Sequence, residues 1–461
     1  MGTKKKVPSK IVLDTETFGP TASAWIEFAE TRLVGQPRIV RAFAEVIEKM
    51  DAGFYEPEAP LVSILIVGPS GVGKTESLKV LSEFLWGIRD GMIRIDGSNY
   101  TSKHDVARIS GAPPGYIGYD EDPEITQRKL DKPAFDSLRD MFLSSCSEEK
   151  LKTLAQLLKK RRELFQEIQH LYSLGARYPN KDLVAFDKEA EEIKEKIAAI
   201  GVPDYESFLL AGERFFSILH IDEIEQADKA LYNTLYRVLD EGRLTLSRKG
   251  NRNKGIFEDS DDGGFSDEVD FVGTIIGVTS NLGTEEIEKE LRRMQGKEFS
   301  LGIGGNAVLS PDELDNRVYE ICMEALRKYF PVPFLNRFDI IVAARPLYRD
   351  SLEIILIQEI RKLAIRLMEE WDIPLGITIS KGARDLIIEE SSDKLEEGAR
   401  LLRRKVRSHI TLQIAQFRNN GTIEPGDFIE IRTKKVRGAR RLEFVKVPSK
   451  LTPKLIEFVE K

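Results

Sequence analysis

Gly68-Pro-Ser-Gly-Val-Gly-Lys74-Thr75 is the feature that most narrows what this chain can fold into. The run stands between an apolar stretch, residues 61–67, and a helix-like one, the setting that turns a bare GxxxxGK[ST] pattern into a strong signal. Its glycines let backbone N–H groups close around phosphate oxygens, and the helix after it adds the positive end of its dipole. Residues Gly68, Pro69, Ser70, Gly71, Val72 and Gly73 are expected to wrap a phosphate chain. Lys74 is expected to reach β- and γ-phosphates and the Thr75 hydroxyl to ligate Mg²⁺.

Apolar runs alternating with helical patterns from about residue 31 to 345 predict an α/β layer with a mostly parallel sheet. The clearest runs are 61–67, 92–95, 216–221, 271–278 and 340–344, each short and largely apolar, as strands buried on both faces should be. Residues 1–30 read as an N-terminal extension. After Pro346 the pattern turns helical and ends in two strand-like runs, 428–431 and 442–445, which marks a smaller domain over 346–435 and a tail over 436–461.

Two insertions interrupt the layer. Between 134 and 213, Leu151, Leu154, Leu158, Phe165, Ile168 and Tyr172 recur at alternating steps of three and four, with Arg161 in one seam position. Leu183, Phe186, Ala190, Ile193, Ile197 and Ile200 do the same, and Gly175 and Pro179 break the helix between the two runs. The pattern predicts an antiparallel coiled-coil arm, or else a helical pair lying flat on the body. The second insertion, 247–268, is basic, then acidic and Gly-rich, and reads as a mobile loop.

A second buried strand, 216–221, runs into Asp222-Glu223. Ligands bind at strand ends of parallel sheets, so Asp222 is expected to hold Mg²⁺ through water and Glu223 to polarise an attacking water. His220 within this strand reads as a hydrogen-bonded core histidine, or as a link to neighbouring strands. Cys146 and Cys322 are the two cysteines, far apart and outside metal-ligand spacing, which fits a reducing compartment. No apolar run approaches a membrane span, and the basic N-terminus has no apolar stretch of a signal peptide, so a cytoplasmic protein is expected. A net charge of −7 speaks against a dedicated nucleic-acid binder.

Between the glycine loop and Asp222 stands Arg108-Ile-Ser-Gly-Ala-Pro-Pro-Gly-Tyr116-Ile117-Gly118-Tyr119. This segment resembles the pore loop of the Clp ATPases, AAA+ unfoldases and disaggregases, in particular the second ATPase module of ClpB and its relatives. Other stretches come in that family's order: 221–227 and 239–245 resemble the Walker B region and the segment just after it, and 279–283 resembles sensor 1. Phe334-Leu-Asn-Arg337-Phe-Asp resembles the arginine-finger segment, and Gly398-Ala-Arg400 resembles sensor 2. The resemblance implies an AAA+ P-loop NTPase sheet sandwiched by helices, followed by a smaller, mostly helical domain with a small sheet. It implies ATP and Mg²⁺ as cofactors, with Leu33 and Val34 among the nucleotide-binding residues. It also implies a homo-hexamer with ATP between subunits, in which Arg337 crosses to the neighbour's γ-phosphate. Arg400 would report γ-phosphate in its own subunit, and Asn281 would help place the water. Arg345, Arg403 and Arg404 are left as surface charges. Tyr116, with Ile117, would grip unfolded or tagged polypeptide without needing a sequence code.

The chain departs from that family in carrying one ATPase module, an arm placed between pore loop and Walker B, and an enlarged second pore loop. The arm is expected to recruit a partner or brace the ring. Leu301-Gly302-Ile303 sits where protease-coupled members carry a tripeptide that docks on a peptidase ring, though an ordinary loop fits it as well. Two rivals to a protein-threading motor remain: a nucleic-acid motor or loader, and a nucleotide-dependent scaffold presenting the arm. Against the first, 115–119 is neutral and aromatic and runs into Asp120, Glu121 and Asp122.

Overall fold

A computed structural model describes residues 17–54, 56–111, 123–173, 181–203, 215–247, 268–299, 311–370, 375–392, 398–437 and 439–447. Five strands form one parallel sheet: β1 (Val62–Val67), β2 (Ile93–Asp96), β3 (Ser217–Asp222), β6 (Thr274–Ser280) and β7 (Ile340–Ala343), in the order β2-β3-β6-β1-β7. A short antiparallel pair, β4 (Arg243–Thr245) and β5 (Glu268–Asp270), lies apart from it.

The apolar runs read as strands because both faces of the sheet are covered. Val62, Ile64 and Ile66 point into one apolar core, while Leu65 and Val67 point into another. The first core takes in α1 (Pro20–Glu30), α2 (Pro37–Ala52) and α3 (Lys74–Trp86). The second takes in α4 (Lys103–Ser110), α8 (Lys229–Glu241), α9 (Thr284–Phe299), α10 (Pro311–Tyr329) and α11 (Val332–Leu335). Gly277 in β6 shows how closely α3 lies on the sheet, since a Cβ there would stand 2.5 Å from Leu78 Cδ2. Because β1, β3 and β6 are parallel, their C-terminal ends fall on one edge, and Gly68, Glu223 and Asn281 come directly after them.

Strand β6 begins at Thr274 rather than 271, because Phe271 and Thr274 close a backbone turn over Val272 and Gly273. Within the stretch expected to be an extension, α1 is tied into the core: Ala22, Trp25 and Ala29 are buried at helical spacing, and the Trp25 indole donates to the Val40 carbonyl at 2.8 Å.

Helix α5 (Gln127–Ser145) leads to a hairpin of α6 (Glu148–Ser173) and α7 (Lys181–Ile200). At 1.5 Å per residue α6 is about 39 Å long. Leu157, Leu164 and Leu171, seven residues apart, meet Phe186, Ala190, Ile193 and Ile197 in a third apolar cluster, flanked by a Lys160–Glu189 ion pair at 2.7 Å. On α7 the seam takes in Phe186, Ala190, Ile193 and Ile197 as expected, while Ile200 is outside the cluster and the Leu183 side chain lies outside the described ones. On α6 it takes in Leu157, Leu164 and Leu171 instead of the expected residues: Leu151 is 37% exposed, Leu154 is buried outside this cluster, and the side chains of Leu158, Phe165, Ile168 and Tyr172 lie outside the described ones. The connection between the helices lies outside the described residues.

The C-terminal part holds α12 (Arg349–Glu369), β8 (Gly376–Ile379), α13 (Lys381–Ser392), α14 (Gly398–Val406), α15 (Leu412–Asn419), β9 (Phe428–Val436) and β10 (Ala439–Val447). Its sheet has the order β10-β9-β8, so a paired strand extends past residue 435 into the stretch expected to be a tail. Between α14 and α15 the helix widens into one π turn, Arg407–Thr411. Among the described residues no helix is long and apolar enough to cross a membrane.

Candidate nucleotide site

The glycine loop closes on its own lysine. Lys74 is 7% exposed, and its ammonium donates to the carbonyls of Gly68 and Pro69 at 2.7 and 2.6 Å and to Asn281 Oδ1 at 2.8 Å. Burial lowers its pKa to about 8 against the opposing pull of Glu225 and Asp222. A buried ammonium needs anions nearby, and phosphates would supply them. Thr75, the next residue, places its hydroxyl 3.3 Å from each Asp222 oxygen.

Asp222 ends β3 with further donors around it: the Thr279 hydroxyl on Oδ1 and the Arg94 guanidinium on Oδ2 at 2.6 Å. Burial pushes this carboxyl up, but His220, Thr279 and Arg94 together hold it below the usual carboxylate range. His220 itself is fully buried 3.7 Å from Asp222 Oδ1, and burial drops its pKa to about 4. Neither ring nitrogen has a hydrogen-bond partner, so the expectation of a hydrogen-bonded core histidine is corrected: the strand pairing around it uses backbone groups only.

Glu223 has a left-handed backbone, φ +52°, which is costly for a residue with a side chain and recurs where a site fixes a reactive group. The turn aims its carboxylate at Asn281, whose Nδ2 donates to Oε1 at 3.0 Å, and Gln226 bonds the other oxygen. Asn281 thus touches both Lys74 and Glu223. Its backbone is fixed in turn by Glu225, which accepts from Asn281 N at 3.0 Å.

The C-terminal part closes the cleft. Arg400 Nη1 donates to Ser70 Oγ at 2.9 Å, and the Ala399 amide donates to the Gly71 carbonyl at 3.1 Å. Gly398, at φ +46°, lies so close that a Cβ would stand 2.8 Å from Gly71 O. On the other side Gln36 clamps the loop to the hinge: its amide donates to Val72 O at 3.0 Å and Arg345 O at 2.7 Å, and accepts from Arg345 N at 2.9 Å. The result is an open cleft of about 170 Å³ with two chemistries. Lys74, Thr75, Asp222, Glu223, Asn281 and Arg400 line a phosphate-sized end, and Leu33, Val34, Leu347 and Ile355 line an apolar end suited to a base.

The expected residues therefore separate into three groups. Residues 70–75 of the glycine loop, with Asp222, Glu223, Asn281 and Arg400, converge on one cleft together with Leu33 and Val34, while Gly68 and Pro69 turn their carbonyls to Lys74. Arg337 is outside it, held by Asp240 Oδ2 at 2.7 Å, by Pro333 O at 2.6 Å and over the Tyr236 ring at 4.4 Å. Tyr116, Ile117 and Leu301–Ile303 lie outside the described residues, as does most of the 247–268 insertion. Two arginines read as surface charges have partners: Arg403, 39% exposed, lines the cleft and pairs with Glu359 at 3.2 Å, and Arg345, 23% exposed, pairs with Asp315 at 2.7 Å. Gln36 and Arg94 lie outside every sequence motif, and Glu225 and Thr279 lie within the 221–227 and 279–283 motifs with no role expected of them. For Arg94 a signal existed, a charged residue inside the apolar run 92–95.

Among the described residues no cluster of three or more His, Cys, Asp or Glu could hold a metal. The Thr75 hydroxyl and Asp222 carboxylate are hard oxygen donors, which fit Mg²⁺ when phosphate oxygens and water complete its shell.

Comparison with known families matches residues 59–134 and 176–341 to the AAA domain (Cdc48 subfamily), and residues 347–431 to the C-terminal, D2-small domain of ClpB protein. The chain is 28% identical over 406 residues to the chaperone protein ClpB of Gloeobacter violaceus, an alignment covering 88% of this chain and 33% of that protein. It is 27% identical over 401 residues to the negative regulator of genetic competence ClpC/MecB of Bacillus subtilis, covering 87% and 35%. The chain thus spans about a third of the length of these curated relatives. A closed-state cryo-EM reconstruction of Hsp104 with ATPγS and FITC-casein shares the fold with a TM-score of 0.57 at 21% identity, covering 92% of this chain and 52% of that one.

Proposed function

The chain belongs to the AAA domain (Cdc48 subfamily) family and, within it, to the Clp-type ATPases, and from that premise we propose that it is an ATP-dependent protein unfoldase or remodelling translocase. One observation carries the catalytic half of this reading. Lys74 and Thr75 from the start of α3, and Asp222, Glu223 and Asn281 from strand ends, meet Arg400 from the C-terminal part in a single cleft.

In this reading Lys74 holds the β- and γ-phosphates while Thr75 and Asp222 hold Mg²⁺, which when bound neutralises charge on those phosphates. Glu223 accepts a proton from the attacking water as the water oxygen bonds the γ-phosphorus and the bond to the β–γ bridging oxygen breaks, releasing ADP, and Asn281 keeps that carboxylate in place through its 3.0 Å bond. Arg400 ties γ-phosphate to the C-terminal part through the loop it already touches at Ser70. Arg337 lies outside its own cleft, which suits action on a neighbour's nucleotide in a homo-hexamer. Tyr116 and Ile117 would then move unfolded or tagged polypeptide through the ring pore in a cytoplasmic protein.

The test is ATPase activity of the assembled protein with and without an unfolded protein or DNA. Stimulation by the unfolded protein and not by DNA is expected, and Tyr116→Ala is expected to abolish substrate unfolding while keeping basal turnover. Stimulation by DNA alone, or unfolding unchanged in Tyr116→Ala, would refute the threading mechanism.

A further inference from the structure

Asp222 carries two protein donors besides the Thr75 hydroxyl. Thr279 donates to one carboxylate oxygen, and Arg94 donates to the other at 2.6 Å. Since Thr75 Oγ1 is 3.3 Å from both oxygens, the guanidinium stands beside the position from which Thr75 and Asp222 would hold a divalent cation. Strand β2 brings it there: the parallel register sets Arg94 beside His220 and Asp96 beside Asp222. A charge within a sheet strand is costly unless paired, and Asp222 is the carboxylate that pairs with it.

We propose that Arg94 is a positioning residue that sets the Mg²⁺ affinity of the site by acting as a built-in cation on Asp222. The proposal rests on the reading of Asp222 as the metal's carboxylate. Charge-assisted bonds of this length are strong, and two cations on one carboxylate repel each other at short range where water is partly excluded. Filling the site with Mg²⁺ therefore works against Arg94, and the guanidinium must share or surrender Asp222.

The guanidinium has somewhere to go. Its side chain is 46% exposed and also lines a groove with Asp96, Tyr100, Asp105, Arg108 and Glu124, three of which are carboxylates. The same groove ties together the two ends of the 112–122 segment. Glu124 N donates to Arg108 O at 3.1 Å, Ile125 N to Ile109 O at 3.3 Å, and the Tyr100 hydroxyl bonds the Glu124 carboxylate. Arg94 thus stands between the cation position and the base of the segment that carries Tyr116, so that metal filling alters the charge balance at that base.

The experiment measures Mg²⁺ dependence of fluorescent-ATP binding, and Mn²⁺ binding by electron paramagnetic resonance in the presence of nucleotide, on the full chain. Arg94→Met and Arg94→Gln are expected to tighten the apparent metal affinity about tenfold or more. Arg94→Lys, which keeps the cation, is expected to stay near wild type. Nucleotide binding in EDTA, which a merely structural lesion would lower, should stay within about threefold. Unchanged or weakened metal affinity in both neutral variants, or loss of binding in EDTA, overturns the proposal. Asp222→Asn separates the two levels: weakened metal binding there leaves the reading of Asp222 standing whatever Arg94 does. Unaltered metal binding in Asp222→Asn removes that reading, and the role of Arg94 with it.

Discussion

Replacing Gly398 by alanine would test whether the C-terminal part completes the nucleotide cleft. Gly398 has φ +46°, and a left-handed residue with a side chain costs roughly 1–2 kcal/mol. The new Cβ would also stand 2.8 Å from Gly71 O, 2.9 Å from Gly71 C and 3.1 Å from Ser70 O. These are backbone atoms of the phosphate loop and cannot rotate aside. Restoring ordinary contact requires α14 to retreat by about 0.6 Å, and overpacking of this kind adds about 1–3 kcal/mol. The retreat would stretch the Ala399–Gly71 bond, now 3.1 Å, and the Arg400–Ser70 bond, now 2.9 Å. A total cost of about 2–5 kcal/mol on the closed cleft weakens nucleotide binding by about 30-fold at its lower limit. Titration of a fluorescent ATP analogue, with a thermal melt alongside, reads both effects. Gly421→Ala is the control, because Gly421 has φ +69° with nothing within 4 Å of a Cβ, so strain alone is added far from the cleft. If Gly398→Ala binds nucleotide within threefold of wild type and melts normally, the contact between α14 and the glycine loop does not shape the cleft.

Arg337→Ala is expected to assemble yet hydrolyse ATP at least about 10³-fold more slowly per assembled subunit, as for other trans-acting arginines. Equal turnover in rings of normal size would remove Arg337 from the reaction. Cys322 is fully buried, and burial pushes its thiol up to about 12, so almost none is thiolate at pH 8 and folding keeps reagents away. Cys146 is partly exposed. One thiol per chain should therefore react with a disulfide reagent at pH 8 in the native protein and two in guanidinium; two fast equivalents in the native state would contradict the packing around Cys322.

Strands were legible wherever both faces are buried. Residues 61–67 and 216–221 are mostly apolar because their apolar side chains meet one core on one face of the sheet and the other core on the opposite face. The glycine loop and Asp222-Glu223 were legible because their chemistry is local: spacing alone places them at strand ends. What escaped was made by register and by folding back over long sequence distances. Arg94 meets Asp222 only because β2 pairs with β3 in one register. Gln36 reaches Val72 and Arg345 only once α2 packs beside β7. Arg403 joins the cleft only because α14 docks on the glycine loop, and no periodicity around it reports that contact. The α6 seam is the stripe Leu157, Leu164 and Leu171, one residue away from Leu158, Phe165 and Tyr172, because two neighbouring apolar stripes share the same seven-residue spacing and spacing alone does not choose between them.

Hydrolysis at this cleft is the claim on which the rest depends, and single-turnover cleavage of ATP by Glu223→Gln tests it most directly. The substitution keeps the size of the side chain and its contact position beside Asn281 but removes the charge that accepts the water's proton. The account predicts wild-type ATP affinity with cleavage slowed by at least about 10²-fold. Cleavage within a few fold of wild type, with ATP bound as tightly, would contradict it.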